Sequence, residues 1–320
     1  MSTLTTTEPP LTPKSPTSLF VNGWFPRRRA LIFLIGAAGG FLLSYLWSAK
    51  LADQDIGFTS ADAMLGHTAS TTPIGGVVSG IVFAFVTGLA GSFTACNVAV
   101  FGAVGPLVGR AESRRTRLLH TLRPVGWLTA GMIPVSAAYG ALVGVAGTRM
   151  PQYSTKAGHG ITPRTAQSMI AFGLVGGVMI VMGLAALGIV SDPLAKVSRR
   201  YPNAPLILMG ALVGGFLIGR PYPLFRKMFQ HAADSHNALY GAMAFTLQSV
   251  GNIVVMAVLF LLLSYGLGGR LQRRLAVNPT RTSILTGAAF LVAGFFTVFY
   301  WDVKVLHRLN YIWFPTAPWN

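Results

Sequence analysis

Apolar residues run along this chain in long unbroken stretches, each closed by a short polar or basic segment. Seven stretches stand out, at 30–48, 74–108, 124–147, 166–190, 205–225, 238–265 and 282–301. A helix of about 20 apolar residues crosses a bilayer core of about 30 Å. Strands of a membrane barrel would alternate apolar and polar positions, and these stretches do not. The pattern predicts an all-α polytopic membrane protein with about seven transmembrane helices.

Two stretches depart from a plain span. The second, 74–108, runs to 35 residues and carries Gly88, Gly91, Gly102, Gly105 and Pro106. A straight helix needs none of these, so we expect a break near Cys96, in TGLAGSFTACNVAVFG. The fifth contains Arg220-Pro221-Tyr222-Pro223. Each proline removes a backbone donor and clashes with the preceding turn, so an unbroken helix is excluded there. The two interruptions overlay, with Ala95-Cys96-Asn97 against Pro221-Tyr222-Pro223. Each is followed by a charged loop and two more stretches, and the two sets start from opposite sides. This is the pattern of an inverted repeat, with a site where the broken helices meet near the midplane. Unwound backbone at that depth is tolerated only when buried in protein or lining a cavity. Chance placement of Gly and Pro, common in membrane helices, gives the same pattern. On the repeat reading, 1–26 is a disordered cytoplasmic tail and 27–73 a leading helix and outer loop. The two three-helix repeats are 74–191 and 192–302, and 303–320 is an extracytoplasmic tail.

Composition agrees with the pattern. Of 320 residues, 52% are hydrophobic and 10% charged, where a soluble domain carries about a quarter charged residues. The net charge of +17 would suit nucleic acid, but the basic residues sit in short loops, where they act as topology determinants. We expect a lipid bilayer and no nucleic acid as partner. One set of loops holds fifteen basic residues, including Arg27 to Arg29, Arg114, Arg199 and Arg273; the other set and the C-terminal tail hold eight. That bias places the N-terminus in the cytoplasm and the C-terminus outside; a bacterial inner membrane is the expected location. The apolar core after Arg29 is too long for a signal peptide and reads as an uncleaved first helix.

The candidate chemistry is sparse. Cys96 is the only cysteine, which excludes an intramolecular disulfide and any multi-cysteine zinc site. Most lone cysteines are buried packing; a reactive one needs a cation or a helix N-terminus beside it. Arg220 either faces a cavity or partner within the span or snorkels to the outer interface. Gln248 and Asn252, four apart, share a helix face. They either line a polar cavity with Thr94 and Asn97 or form helix–helix hydrogen bonds. His231, Asp234 and His236 make no conventional metal motif and are expected in a solvated loop. Asp302 and Lys304 are expected in the headgroup region. Gly36-xxx-Gly40 and Gly173-xxx-Gly177 suit close helix packing. No triad, paired-carboxylate site or nucleotide loop is present, and neither a cofactor nor a metal is expected.

Two stretches carry a family likeness: GIVFAFVTGLAGSFTACNVAVFGAVGPLVG and ADSHNALYGAMAFTLQSVGNIVVMAVLFLLL. Over 74–302 the chain resembles the cytochrome c biogenesis transmembrane family, which includes CcdA and the membrane domain of DsbD. Its ending and length are similar to the MauF group of methylamine-utilisation proteins in the same superfamily. The resemblance implies six core helices in two inverted halves, here behind the leading helix. One cysteine per half would pass electrons from a cytoplasmic thioredoxin-like protein to acceptors outside. Cys96 takes the place of the first cysteine, with Ala95 where the family has proline and Thr94 where it often has serine. The second cysteine would fall near Pro221 to Pro223, where there is no thiol. Thiol exchange needs a resolving sulfur, so the ordinary relay is absent. The expected function is an accessory role in maturing an extracytoplasmic redox enzyme, of the cytochrome c or methylamine dehydrogenase kind. The alternatives are a small-solute or ion transporter, and a thiol carrier pairing Cys96 with a partner's cysteine.

Overall fold

The computed structural model describes residues 18–48, 50–91, 114–153, 160–220, 222–266 and 278–319. These residues form helices and no β-strand. In chain order they are α1 (Arg29–Leu46), α2 (Thr59–Leu65), α3 (Gly76–Ala90), α4 (Arg114–Ala146), α5 (Pro163–Ala186), α6 (Ala195–Arg200), α7 (Ala204–Gly219), α8 (Pro223–Asp234), α9 (Ala238–Gly266), α10 (Pro279–Val298) and α11 (Lys304–Arg308). Five helices are long and apolar enough to cross a membrane, and α7 with α8 makes six if they count as one bent span. Of the second apolar stretch the structure describes α3, with 15 residues; 92–113 lie outside the described residues.

Local chemistry sets the helix ends. α5 and α10 both start on a polar cap followed by proline: Thr162 accepts from the Thr165 amide, and Asn278 from the Thr280 amide. Proline at the first helical position gives up only a donor that the helix would leave unused. α7 stops at Gly219, where the Arg220 backbone turns extended. Proline restricts the residue before it in this way. Pro223 then opens α8, bent 82° from α7, so the interruption expected at Arg220–Pro223 falls where the double proline places it.

The helices pack in the order α3, α9, α4, α7, α5, α10, with α1 outside α10. Glycines set the closest approaches. A Cβ on Gly140 of α4 would lie 2.3 Å from the Gly241 carbonyl oxygen of α9, and one on Gly241 would lie 2.1 Å from that of Gly140. Further along the same pair, Ser136 and Ser249 share a 2.6 Å hydrogen bond. α5 and α10 cross in the same reciprocal way, Gly176 against Gly294 and Gly183 against Gly287. Gly36 and Gly40 seat α1 on Leu291 and Phe295 of α10, as their spacing suggested. Gly173 and Gly177 do not act as a packing stripe: Gly173 meets only Asp302, and Gly177 has nothing within 4 Å. The core is apolar at both ends, with Leu128, Met179, Met209 and Phe290 at one and Phe83, Phe225, Phe229 and Phe245 beside α8. Leu34, Ile35, Val78, Ile170 and Leu174 are exposed, an apolar periphery suited to hydrocarbon rather than water.

Two expectations need correction. The tail was expected disordered through residue 26, but residues 18–26 are packed. Phe20 is buried with its ring 5.1 Å from that of Phe290. Asn22 donates to the Pro279 carbonyl and accepts from the Ser283 hydroxyl. Phe20, Val21 and the Asn22 amide anchor this segment against the helix ends, and its apolar run SLFVNGWFP sets it apart from the polar residues before it. Lys304 was expected among headgroups; it is buried instead, with Nζ 3.3 Å from the Ser44 carbonyl and 4.8 Å from the centre of the Tyr300 ring. The π-helical turn Phe299–Val303 turns it inward against α1.

Candidate functional site

The break after α7 exposes carbonyls that would otherwise continue the helix, and side chains of two neighbouring helices and a short turn satisfy them. The Ile218 carbonyl accepts from Gln152 Nε2, from Gln167 Nε2 at 2.8 Å and, weakly, from the Tyr139 hydroxyl at 3.5 Å. The Gly219 carbonyl accepts from Ser168 Oγ at 2.8 Å. Gln167 also donates to the Tyr139 hydroxyl. Broken backbone within a bundle must be satisfied by protein, and this network does so.

Arg220 leaves the break and reaches across to α3. Its Nη2 donates to the Gly91 carbonyl at 2.5 Å, and its guanidinium lies 5.3 Å from the centre of the Tyr222 ring. Gly91 follows directly on α3, whose C-terminal end carries the negative pole of the helix dipole, so a cation there is favourable. The guanidinium sits close against Gly91: a Cβ there would lie 2.0 Å from Nη2, so Arg220 would have to move to admit one. Arg220 thus reaches toward a protein partner, while α7 ends at Gly219 as the other reading of Arg220 had it. Tyr222 is buried beside Phe58, the ring centres 6.3 Å apart.

One turn back along α3, Gly88 lets α9 approach until the Gln248 carbonyl lies 2.1 Å from where a Cβ would stand. Gln248 is fully buried, and neither atom of its amide has a hydrogen-bond partner among the described residues. Asn252, one turn further, is also buried. Ser168 lies five residues into α5 and Gln248 ten into α9, which at 1.5 Å per residue puts them about 8 and about 15 Å from the α8 end. The Ser168 network and Gln248 thus lie at two levels, and Arg220 reaches from the first toward α3. Thr94, Cys96, Asn97 and Pro221 lie outside the described residues; Gly91 is three residues before Thr94.

The Tyr139, Gln152, Gln167 and Ser168 network escaped sequence reading. Its only signal was indirect: a double-proline break leaves carbonyls in need of donors, but not which donors. Of the segment 230–237, only Ser235 to Asn237 form the exposed turn expected. Most of it belongs to α8, where His231 Nδ1 and the Tyr240 hydroxyl are 2.7 Å apart and Asp234 accepts from the Tyr153 hydroxyl. Among the described residues no three His, Cys, Asp or Glu side chains group as metal ligands. α3, α7 and α9 carry no Asp, Glu or His. The arrangement can bind through a guanidinium, amides and hydroxyls, and these three helices supply no acid or imidazole to move a proton. Comparison with protein-family models, curated proteins and solved structures gives no match.

Proposed function

We propose that the chain is a bacterial inner-membrane protein built from two inverted three-helix repeats behind a leading helix. It serves as an accessory in maturing an extracytoplasmic redox enzyme. It works through the junction where α3 ends and α7 breaks, and the α8 end faces outward. The observation that carries this is the Arg220–Gly91 contact, which ties the two interrupted elements together inside the bundle. The packing order supports the repeat. Exchanging α3, α4 and α5 for α7, α9 and α10 turns α3·α9 into α7·α4 and leaves α4·α9 and α5·α10 unchanged, while α5·α7 has no comparable counterpart between α3 and α10 among the described residues. An in-plane two-fold axis has this effect. A thioredoxin-like protein or the redox enzyme itself is the partner, and Cys96 is not an obligatory carrier.

Transport of a small solute or ion through the junction is the second reading, favoured by the buried amide of Gln248, which has no hydrogen-bond partner among the described residues. The experiment is a deletion strain complemented with wild-type or Cys96→Ser protein, read by holoenzyme yield outside the cytoplasm, with proteoliposome flux in parallel. The accessory reading predicts full rescue by Cys96→Ser and no flux. Rescue lost with Cys96→Ser would establish the thiol carrier instead, and flux without any effect on holoenzyme would establish the transporter.

A further inference from the structure

Asp302 lies within the last apolar span, in the π-helical turn Phe299–Val303. Its side chain rests against α5: both carboxylate oxygens stand 3.6 Å from where a Cβ on Gly173 would lie. Gly173 is ten residues into α5, about 15 Å from its start at 1.5 Å per residue. Ile170 and Leu174, beside it on α5, are exposed and apolar, so hydrocarbon rather than water borders the place. Asp302 Oδ2 is buried and accepts no hydrogen bond from the described residues. Other acids are provided for: Asp62, Asp192 and Asp234 accept from the Ala69 amide, the Leu194 amide and the Tyr153 hydroxyl. On the elements packed against the turn, the ionisable groups are Arg29 and Tyr45 of α1, Arg164 of α5, Arg281 of α10, and Lys304, His307 and Arg308 of α11. Lys304 turns to the Ser44 carbonyl of α1, His307 meets the backbone of 312–314, and Arg29, Arg164 and Arg281 sit in the first turns of their helices. None of these groups donates to Asp302 Oδ2. Ionisable residues inside spans mark ion and proton paths, and π-turns recur at functional sites.

We propose that Asp302 is a proton-binding site inside the bundle. Its carboxylate takes one proton from water, and the side chain passes from an anion to a neutral acid. A carboxylate with a buried oxygen, no donor and no cation beside it is costly away from water, and such a group neutralises rather than stay charged. Gly173 gives the acid its room, since the side chain of any other residue there would start 3.6 Å from both oxygens. The carboxyl also has neighbours in common with the break after α7. Trp301, the residue before it, stacks on Phe172 with ring centres 4.7 Å apart. The Phe172 ring in turn lies 2.9 Å from where a Cβ on Gly219 would stand. The proton site stands whether or not the junction serves a redox client.

The test uses the full-length protein in proteoliposomes and dicyclohexylcarbodiimide, an apolar reagent for protonated carboxyls. The reagent takes the carboxyl proton on a nitrogen and the carboxylate oxygen on its central carbon. The product rearranges to a stable N-acylurea, which peptide mass spectrometry locates. An ordinary exposed carboxyl is protonated in about one molecule per thousand at pH 7. At that pH the adduct at Asp302 is expected to exceed the adduct at Asp55, an exposed acid, by about tenfold or more, and to fall as pH rises. Infrared difference spectra between acid and alkaline samples read the same proton without a reagent. The carbonyl stretch of a neutral carboxylic acid is expected in the wild type and is lost in Asp302→Asn, which keeps the shape of the acid and should elute as the wild type does. An Asp302 adduct no stronger than that at Asp55, or the same infrared difference in both proteins, overturns the proposal. Sodium ions that block the adduct at fixed ionic strength overturn it too, because the site would then hold a metal cation.

Discussion

At the scale of single residues, the junction depends on side chains that meet backbone rather than each other. Arg220 donates to the Gly91 carbonyl and covers Tyr222, so it acts as a tie between two elements and as the local positive charge. Arg220→Ala leaves the Gly91 carbonyl without that donor, and a buried polar group left unmade costs about 1–3 kcal/mol. We expect a melting temperature lower by several degrees, with Arg220→Lys intermediate because a single ammonium lacks the planar fork. Thermal unfolding of the two variants beside the wild type checks this, and an unchanged Arg220→Ala would mean that the contact holds nothing. Arg220 was visible in the sequence as a cation within an apolar stretch, but its direction was not. Whether a long basic side chain snorkels outward or reaches inward is decided by what lies beneath it. Here that is the end of α3, 129 positions away in sequence. The burial of Lys304 was missed for the same reason: its partner carbonyl belongs to Ser44, on a helix 260 positions earlier.

At the scale of elements, glycines make the closest helix approaches beside a core of large side chains, as expected where lipid supplies no hydrophobic drive and backbones must come close to gain contact. The reciprocal pair Gly140 and Gly241 is the tightest test of this. Gly140→Leu would force its Cβ to within 2.3 Å of the Gly241 oxygen and separate α4 from α9. Gly177→Leu, with nothing within 4 Å, should be tolerated. Size-exclusion profiles of the two variants after extraction check the difference, and equal yields of monodisperse protein would contradict it. Helix positions were legible because apolar stretches and proline caps are local signals: α5, α9 and α10 fall close to the expected 166–190, 238–265 and 282–301. Packing partners were not legible. Gly173-xxx-Gly177 had the right spacing and the wrong face, while Gly176 and Gly183, seven apart, do the packing, because spacing fixes a helix face but not which neighbour covers it.

At the scale of the whole molecule, the account rests on one geometric claim: the end of α3 and the break after α7 converge, and Arg220 spans the gap between them. The sequence pointed to this through the overlay of two breaks, and the second break is legible to the residue because two prolines fix it. The first is legible only as far as Gly91, where α3 stops after 15 residues, too few to cross about 30 Å of hydrocarbon unaided. The network around the Ile218 and Gly219 carbonyls follows from the fold alone. The most direct measurement uses the lone cysteine to advantage. In a Cys96→Ser background, Gly91→Cys and Arg220→Cys are combined, and the membrane-embedded protein is treated with a short bifunctional thiol reagent. The account predicts an intramolecular cross-link, seen by mass spectrometry as a peptide joining the two positions. If both thiols are labelled by the monofunctional form of the reagent and no cross-link forms, the two breaks do not meet and the account is wrong.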